Sequence, residues 1–213
     1  MVGAGRMPSQ AQTRLKATRT VCPRTRYGPN PPDPVTATRC GGGPTASYSR
    51  VRYIFMTSST STYAAWQRLC GRPGGSRLFS VAAMARVPYF ASVLPHVVTM
   101  EPGLAEVRVP KWFFVYNHLH TVHAIASCNA AEVAMGMLME ATVPRSHRWI
   151  PKAMTVQYLG KATTSLLARA EMDPPDFAAI TEGVDVVVPV SITDRGGTEV
   201  VHADITTWVT PAR

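Results

Sequence analysis

A run of small and apolar residues, 124–139, limits the folds open to this chain more than any other feature. Drawn as a helix, the run presents apolar side chains in every direction, which is typical of a helix buried on all sides. It contains one acid, Glu132, whose burial costs folding free energy unless the carboxylate is paired or neutralised. We therefore expect a central buried helix that carries one carboxylate with a specific use.

Strand-like segments lie on both sides of this helix. Segments 92–100 and 104–114 flank a Glu-Pro-Gly turn and predict a β-hairpin. Thr121 is predicted to cap the helix, which would run from 122 to 139 or 140. Four strands are predicted after the helix, with antiparallel hairpins joining the first two and the last two: 149–160, 163–172, 184–194 and 199–209. The predicted fold class is α+β, with a curved antiparallel sheet wrapped around one long central helix.

The net charge of +9 is concentrated near the N-terminus. Residues 1–55 hold nine basic side chains and one acidic side chain, a net charge of +8. The rest of the chain holds 13 basic and 12 acidic side chains and is close to neutral. This distribution argues against nucleic-acid or membrane binding by the folded domain, so neither partner is expected.

The basic segment 1–55 also contains seven prolines and six glycines, and few apolar side chains, so it is predicted to be a disordered tail. We favour translation starting at Met56, where the composition becomes domain-like. A nucleic-acid or anionic-membrane tether and an Arg-rich organelle presequence are the alternatives. A helical covering segment without chemistry is predicted at 56–90, and the main domain at 91–213.

The four cysteines, Cys22, Cys40, Cys70 and Cys128, form no C-x-x-C pair, which argues against a disulfide framework or a structural zinc site. No apolar run has the length needed to span a bilayer, and the N-terminus lacks the apolar core of a secretory signal. The default prediction is a reducing, cytoplasmic setting.

Three histidines, His118, His120 and His123, precede the helix in the pattern H-x-H-x-x-H. A catalytic zinc needs three protein ligands arranged around one open coordination position. These three are expected to spread across a loop-to-helix junction, so no metal site is predicted. His118 and His120 are expected to face solvent or a dimer contact.

Residue spacing around the helix start is similar to that of a known superfamily. Asn117 precedes His123 by six residues, and Glu132 follows His123 by nine. With the order of strands and helix, this resembles the hotdog-fold superfamily, and specifically its PaaI-type acyl-CoA thioesterases. The chain from Asn117 to the Arg-Trp-Ile-Pro-Lys sequence at 148–152 also resembles an uncharacterised branch of that superfamily. The resemblance begins at Met56 or Ser76 and extends to Arg213.

The resemblance implies an acyl-CoA or acyl-carrier thioesterase without a cofactor, with acyl-CoA as its substrate. Glu132 would be the general base or the nucleophile, and the Ala124 N–H would stabilise the oxyanion at the helix N-terminus. Asn117 and His123 would position water or the thioester. The paired glycines of the family are replaced here by Ala124 and Ile125.

Each of these residues also has a structural interpretation. Glu132 could be a buried acid that hydrogen-bonds to Asn129, one turn away. Asn117 could form hydrogen bonds within the loop, and His123 could cap the helix. If the residues serve only structure, the chain is a non-catalytic hotdog module that binds acyl thioesters or serves for dimerisation.

Helix geometry predicts that the site needs two chains. Nine residues along a helix correspond to a rise of about 13.5 Å and a rotation of about 900°, which leaves His123 and Glu132 on opposite faces. If both residues act, Glu132 must therefore meet the Asn117/His123/Ala124 end of another copy, as in hotdog thioesterases. A homodimer or a dimer of dimers is predicted.

Basic residues after the helix could hold the phosphates of coenzyme A: Arg145, Arg148, Lys152 and Lys161. The alternative is an ordinary solvated rim. Met135, Met137 and Met139 could accommodate an acyl chain, or they could simply pack in the core.

Overall fold

The structure is a computed structural model and describes residues 60–212; the predicted tail at 1–55 and the predicted start at Met56 lie outside these residues. Within residues 60–212, three α-helices and six strands are joined by short 3-10 turns and loops. The helices are α1 (Ser61–Leu69), α2 (Gly75–Arg86) and α3 (Ala124–Thr142). The strands are β1 (His96–Glu101), β2 (Leu104–Val109), β3 (His147–Tyr158), β4 (Leu166–Glu171), β5 (Val184–Thr193) and β6 (Glu199–Pro211).

The strands form one antiparallel sheet in the order β1-β2-β4-β5-β6-β3. The sheet curves around α3, so the predicted α+β class and hotdog architecture are confirmed. The β1–β2 and β5–β6 hairpins are also confirmed. Gly103 has a φ of 82° in the first turn, and a Cβ there would lie 2.8 Å from the Met172 carbonyl oxygen, so glycine is required.

The predicted hairpin between segments 149–160 and 163–172 is wrong. β3 pairs with β6 along its length, whereas β4 lies between β2 and β5. The connection after β3 crosses the N-terminus of α3, where the Ala162 carbonyl accepts a hydrogen bond from the Val122 N–H at 2.8 Å. The short connection can cross between non-adjacent strands because the sheet curves around the helix. The prediction is wrong because the alternation of side chains along a strand does not specify its partner strand.

Small side chains explain why the sheet fits closely around α3. Ala130, Ala131 and Ala134 on the helix are fully buried. The facing strands also carry fully buried alanines: Ala105, Ala168, Ala170 and Ala203. Larger side chains such as Leu138, Met139 and Ile192 fill the remaining volume. Close approach of backbones maximises dispersion contacts in the layer that holds the helix in place.

α1 and α2 form a helical cover beside α3 and β1. Trp66 and Phe79 pack edge to face with ring centroids 5.2 Å apart. The Thr60 hydroxyl donates to the Glu140 carbonyl at 2.7 Å, which fastens the start of α1 to the end of α3. In α2, the Ser80 hydroxyl oxygen accepts from the Val97 N–H at 2.9 Å. Between residues 60 and 212, no helix is long and apolar enough to cross a membrane.

A second contact between the cover and β1 involves a titratable side chain, His96. The Ser76 hydroxyl lies 2.5 Å from His96 Nε2, and it also donates to the Val97 carbonyl at 3.0 Å. Burial lowers the pKa of His96 below its ordinary value of 6.5, and the positive charges of Arg77 and Arg108 lower it further. The folded protein therefore favours the neutral imidazole.

We predict that acidification destabilises the fold through His96. Because the folded pKa is lowered, the unfolded chain binds more protons as pH falls through 6.5, and folding stability falls with it. The thermal unfolding midpoint should fall between about pH 7.5 and about pH 5.5, and this decrease should be smaller in His96→Gln. His118→Gln, at an exposed position, is the control. An equal decrease in His96→Gln and the native protein would contradict the assignment.

Candidate functional site

Glu132 lies on α3 at the wall of an apolar cavity of about 320 Å³. The side chain is half-buried, and no group among residues 60–212, Asn129 included, donates a hydrogen bond to its carboxylate. The cavity is bounded by α2, α3 and the first residues of β3, with Met84, Phe90, Val97, Met135, Met137 and Trp149 in its wall. Arg86 and Glu140 also line the cavity, and the Glu132 carboxylate, without a donor among residues 60–212, is available to a ligand.

Asn117 closes the loop that precedes α3. Its Oδ1 accepts hydrogen bonds from the N–H groups of Leu119 (2.9 Å) and Thr121 (3.1 Å), and its Nδ2 donates to Thr121 Oγ1 at 2.8 Å. Within this loop His120 adopts a left-handed φ of 55°. The structural interpretation of Asn117 is thus observed, and its contact with a substrate remains a prediction.

His123 is the N-cap of α3, so the predicted cap at Thr121 is wrong. His123 Nδ1 accepts a hydrogen bond from the Ile125 N–H at 3.1 Å, and α3 begins at Ala124. Thr121 cannot cap the helix because Val122 is extended in a bridge with Tyr116. Since Nδ1 is an acceptor, the neutral ring carries its proton on Nε2, which makes Nε2–H a donor on the exposed side of the ring.

Ala124 provides the first N–H of α3. Within the described part of the chain this N–H has no backbone acceptor, whereas the next one is bound by His123. Ala124 does not have a positive φ, so its methyl group introduces no backbone strain. The PaaI-type thioesterases that the chain resembles have glycine at this position. The helix N-terminus favours negative charge at this N–H.

The two halves of the candidate site lie far apart in one chain. Ala124 and Glu132 are eight residues apart on α3, a rise of about 12 Å. β3 runs beside the helix in the opposite direction: Cys128 Sγ lies 3.5 Å from Tyr158 Oη, and Trp149 lies beside Gly136. Ala124 therefore lies near the end of β3, and Glu132 lies near the start of β3.

Sequence comparison identifies the family. The family model described as "Domain of unknown function (DUF4442)" matches residues 75–209, which form most of the chain. The chain belongs to the DUF4442 family. A crystal structure described only as a genomics target is 41% identical, and its match covers 71% of this chain and 98% of that chain with a TM-score of 0.62. A search of curated proteins found no match.

More distant solved structures share the fold of this DUF4442 protein. A thioesterase family protein from Silicibacter pomeroyi is 18% identical, covering 62% of this chain and 96% of its own, with a TM-score of 0.53. A protein of unknown function from Pseudomonas aeruginosa is also 18% identical, covering 61% and 91%, with a TM-score of 0.56. At this identity the likeness supports the hotdog fold alone.

The four basic residues predicted to bind phosphate are not brought together within one DUF4442 chain. Arg145 and Arg148 are exposed at the start of β3, and Lys161 is exposed beyond its end. The ten residue steps from Arg148 to Tyr158 span about 33 Å. Lys152 forms an exposed ion pair with Asp185 at 2.8 Å and lies 5.0 Å from the ring centroid of Trp208. Within the described part of the chain, Lys152 is the one of the four that has an anionic partner.

The cavity wall contains residues that the sequence analysis assigned no function. Segment 56–90 was expected to be a cover without chemistry, yet Ser80, Met84 and Val87 of this region line the cavity beside Glu132. Trp149 and Gly136 also line it. No group of three His, Cys, Asp or Glu side chains within residues 60–212 could hold a metal ion.

We predict that Asn117→Ala loosens the loop before α3. The change removes three side-chain hydrogen bonds, so stability should fall by about 1–3 kcal/mol. Amide hydrogen exchange should accelerate at Leu119 and Thr121, whose N–H groups bond to Oδ1. Asn117→Asp retains an acceptor at this position, so hydrogen exchange at both amides should be slower than in Asn117→Ala. If Asn117→Ala reduced activity and left exchange unchanged, Asn117 would act on the substrate and not on the loop.

Proposed function

We propose that this protein hydrolyses acyl-CoA or acyl-carrier thioesters at a site shared by two copies of the chain. The observation that supports this most directly is the position of Glu132, a carboxylate without a donor among residues 60–212, in the wall of a mostly apolar cavity. An apolar acyl group fits such a cavity, and a carboxylate at its wall can activate water. The helix N-terminus supplies the complementary N–H group.

The chemistry follows from these two groups. Glu132 takes a proton from a water molecule while the water oxygen attacks the thioester carbonyl carbon. The Ala124 N–H of the other copy stabilises the negative charge that develops on the carbonyl oxygen. The C–S bond then breaks, the thiolate leaving group receives the proton from Glu132, and a carboxylic acid is released. Direct attack by the carboxylate, followed by hydrolysis of the anhydride, is the variant in which Glu132 is the nucleophile.

β3 is the edge of the sheet that can join two copies. It is long and leaves one row of backbone groups without a strand partner among residues 60–212. Pro151 lacks an N–H group and the pairing with β6 is irregular beside it, so pairing with a second β3 is expected over 153–158. Antiparallel pairing about a two-fold axis would bring the start of one β3 to the end of the other.

This pairing would complete the site. Trp149, in the wall of the Glu132 cavity, would lie beside the partner's connection at 159–162. The Ala162 carbonyl is hydrogen-bonded to the Val122 N–H, directly before the cap of α3. The Glu132 cavity of one chain would thus face the His123–Ala124 end of the other.

Exposed apolar side chains near the start of α3 support an interface at this end. Phe113 and Phe114 are 76% and 71% exposed, and Leu119, Ile125 and Tyr158 are also more than half exposed. Large apolar side chains in such a group are typical of an interface. The same pairing would bring Arg148 of one copy near Lys161 of the other, where they could bind coenzyme A phosphates together.

Glu132→Gln tests the proposed hydrolysis. With straight-chain acyl-CoA substrates, kcat/KM should fall by about a hundred- to ten-thousand-fold because the amide cannot accept the proton from water. Glu140→Gln is a matched control, since Glu140 lies two turns further along α3 and lines the same cavity. Similar losses in both variants, or none in Glu132→Gln, would overturn the assigned role. Binding of acyl-CoA without hydrolysis by the native protein would favour the non-catalytic module.

Ala124→Pro tests the oxyanion donor. Proline lacks the N–H group and is well tolerated at the first helical position, and His123 has the extended backbone that precedes proline readily. We expect an intact fold with kcat/KM lowered about a hundred- to a thousand-fold. Unchanged hydrolysis in a folded variant would exclude this N–H as the donor.

A further inference from the structure

Gly136 lies on α3 four residues after Glu132, so the two positions share one face of the helix. Both line the same cavity. Apart from Val133, their neighbours along α3 are alanine, methionine and leucine, which favour helices. A glycine in the interior of this helix destabilises it relative to alanine and calls for a physical reason.

Backbone conformation does not supply that reason. Gly136 lies in regular helix and is not among the positive-φ glycines of residues 60–212, which are Gly74, Gly103 and Gly197. Alanine could adopt the same backbone conformation without strain.

Close packing does not supply it either. A Cβ at Gly136 would meet only Trp149 Cη2, at 3.7 Å, which is an ordinary van der Waals contact. At Gly75, by contrast, a Cβ would collide with the Leu69 carbonyl. The fold therefore accepts a side chain at position 136, and what the glycine provides is space in the cavity wall.

We infer that Gly136 and Trp149 together determine which acyl groups the cavity accepts. The inference rests on the proposed function and specifies its substrate: an unbranched aliphatic acyl group longer than acetyl, lying past Glu132 along the part of the cavity wall that Gly136 and Trp149 form. The flexible side chains of Met84, Met135 and Met137 in the same wall suit an unbranched chain. A cavity of about 320 Å³ is at the small end for ligand sites, so one added side chain removes an appreciable part of it.

The test measures hydrolysis and equilibrium binding of acetyl-, butyryl-, hexanoyl-, octanoyl-, decanoyl- and palmitoyl-CoA by the full chain. In Gly136→Ala, kcat/KM for the longest well-used substrate should fall by about ten- to two-hundred-fold, the usual effect of one methylene in an apolar pocket. The loss should be smallest for acetyl-CoA and should grow with acyl length. Gly136→Met should move the optimum to a shorter chain still.

Two further variants separate an effect of pocket size from a general loss of stability or activity. Trp149→Phe removes part of the wall beside Gly136 and should move the optimum to longer chains. Gly71→Ala is the matched control, because nothing lies within 4 Å of a Cβ there and Gly71 is outside the cavity. It should leave the length profile unchanged. The thermal unfolding midpoint of Gly136→Ala should equal or exceed that of the native protein, since alanine favours the helix.

The outcomes distinguish this inference from the proposed reaction. If the protein binds the acyl-CoA series without hydrolysis and the binding profile shifts in Gly136→Ala, the reaction fails and the inference stands. If hydrolysis occurs with the same length profile in native, Gly136→Ala and Gly136→Met proteins, the inference is overturned and the reaction stands. Absence of both binding and hydrolysis for the whole series overturns both.

Discussion

The close packing of α3 against the sheet is the constraint on which the rest of this protein depends. Fully buried alanines on the helix meet fully buried alanines on the strands, so the helix has little freedom to move along its axis. That rigid element carries both the candidate oxyanion donor at Ala124 and the candidate base at Glu132. Because the two lie about 12 Å apart along α3, no movement of the helix can bring them together. A site that uses both must be assembled from two chains.

The same constraint explains how much could be predicted from the sequence. A long run of small and apolar residues has few alternatives to a buried helix, and alternating side chains predict strands around it. The position of β3 could not be predicted, because alternation reports which face of a strand is buried and not which strand is adjacent. The prediction of a cap at Thr121 is wrong for a similar reason: local capping preference gives no sign of the bridge between Tyr116 and Val122.

The candidate site was predicted less completely than the fold. Residue spacing pointed to Asn117, His123 and Glu132, and the structure adds what these side chains contact. Asn117 forms hydrogen bonds within the loop, and His123 caps the helix. A catalytic role for either residue must be compatible with these hydrogen bonds. The cavity itself was missed because its wall comes from separate segments, with Met84, Gly136 and Trp149 brought together only by the fold. Gly136 is the one sequence signal that could have indicated it, as an unexplained glycine inside a strong helix.

Subunit complementation tests the shared site most directly. Glu132→Gln and Ala124→Pro proteins, each expected to be nearly inactive alone, are mixed in equal amounts, unfolded and refolded together. Half of the resulting dimers would be mixed, and each mixed dimer would contain one site with both native groups. The account predicts recovery of about a quarter of the native activity. If mixed dimers form and activity does not recover, Glu132 and the Ala124 N–H do not act across the interface between two chains.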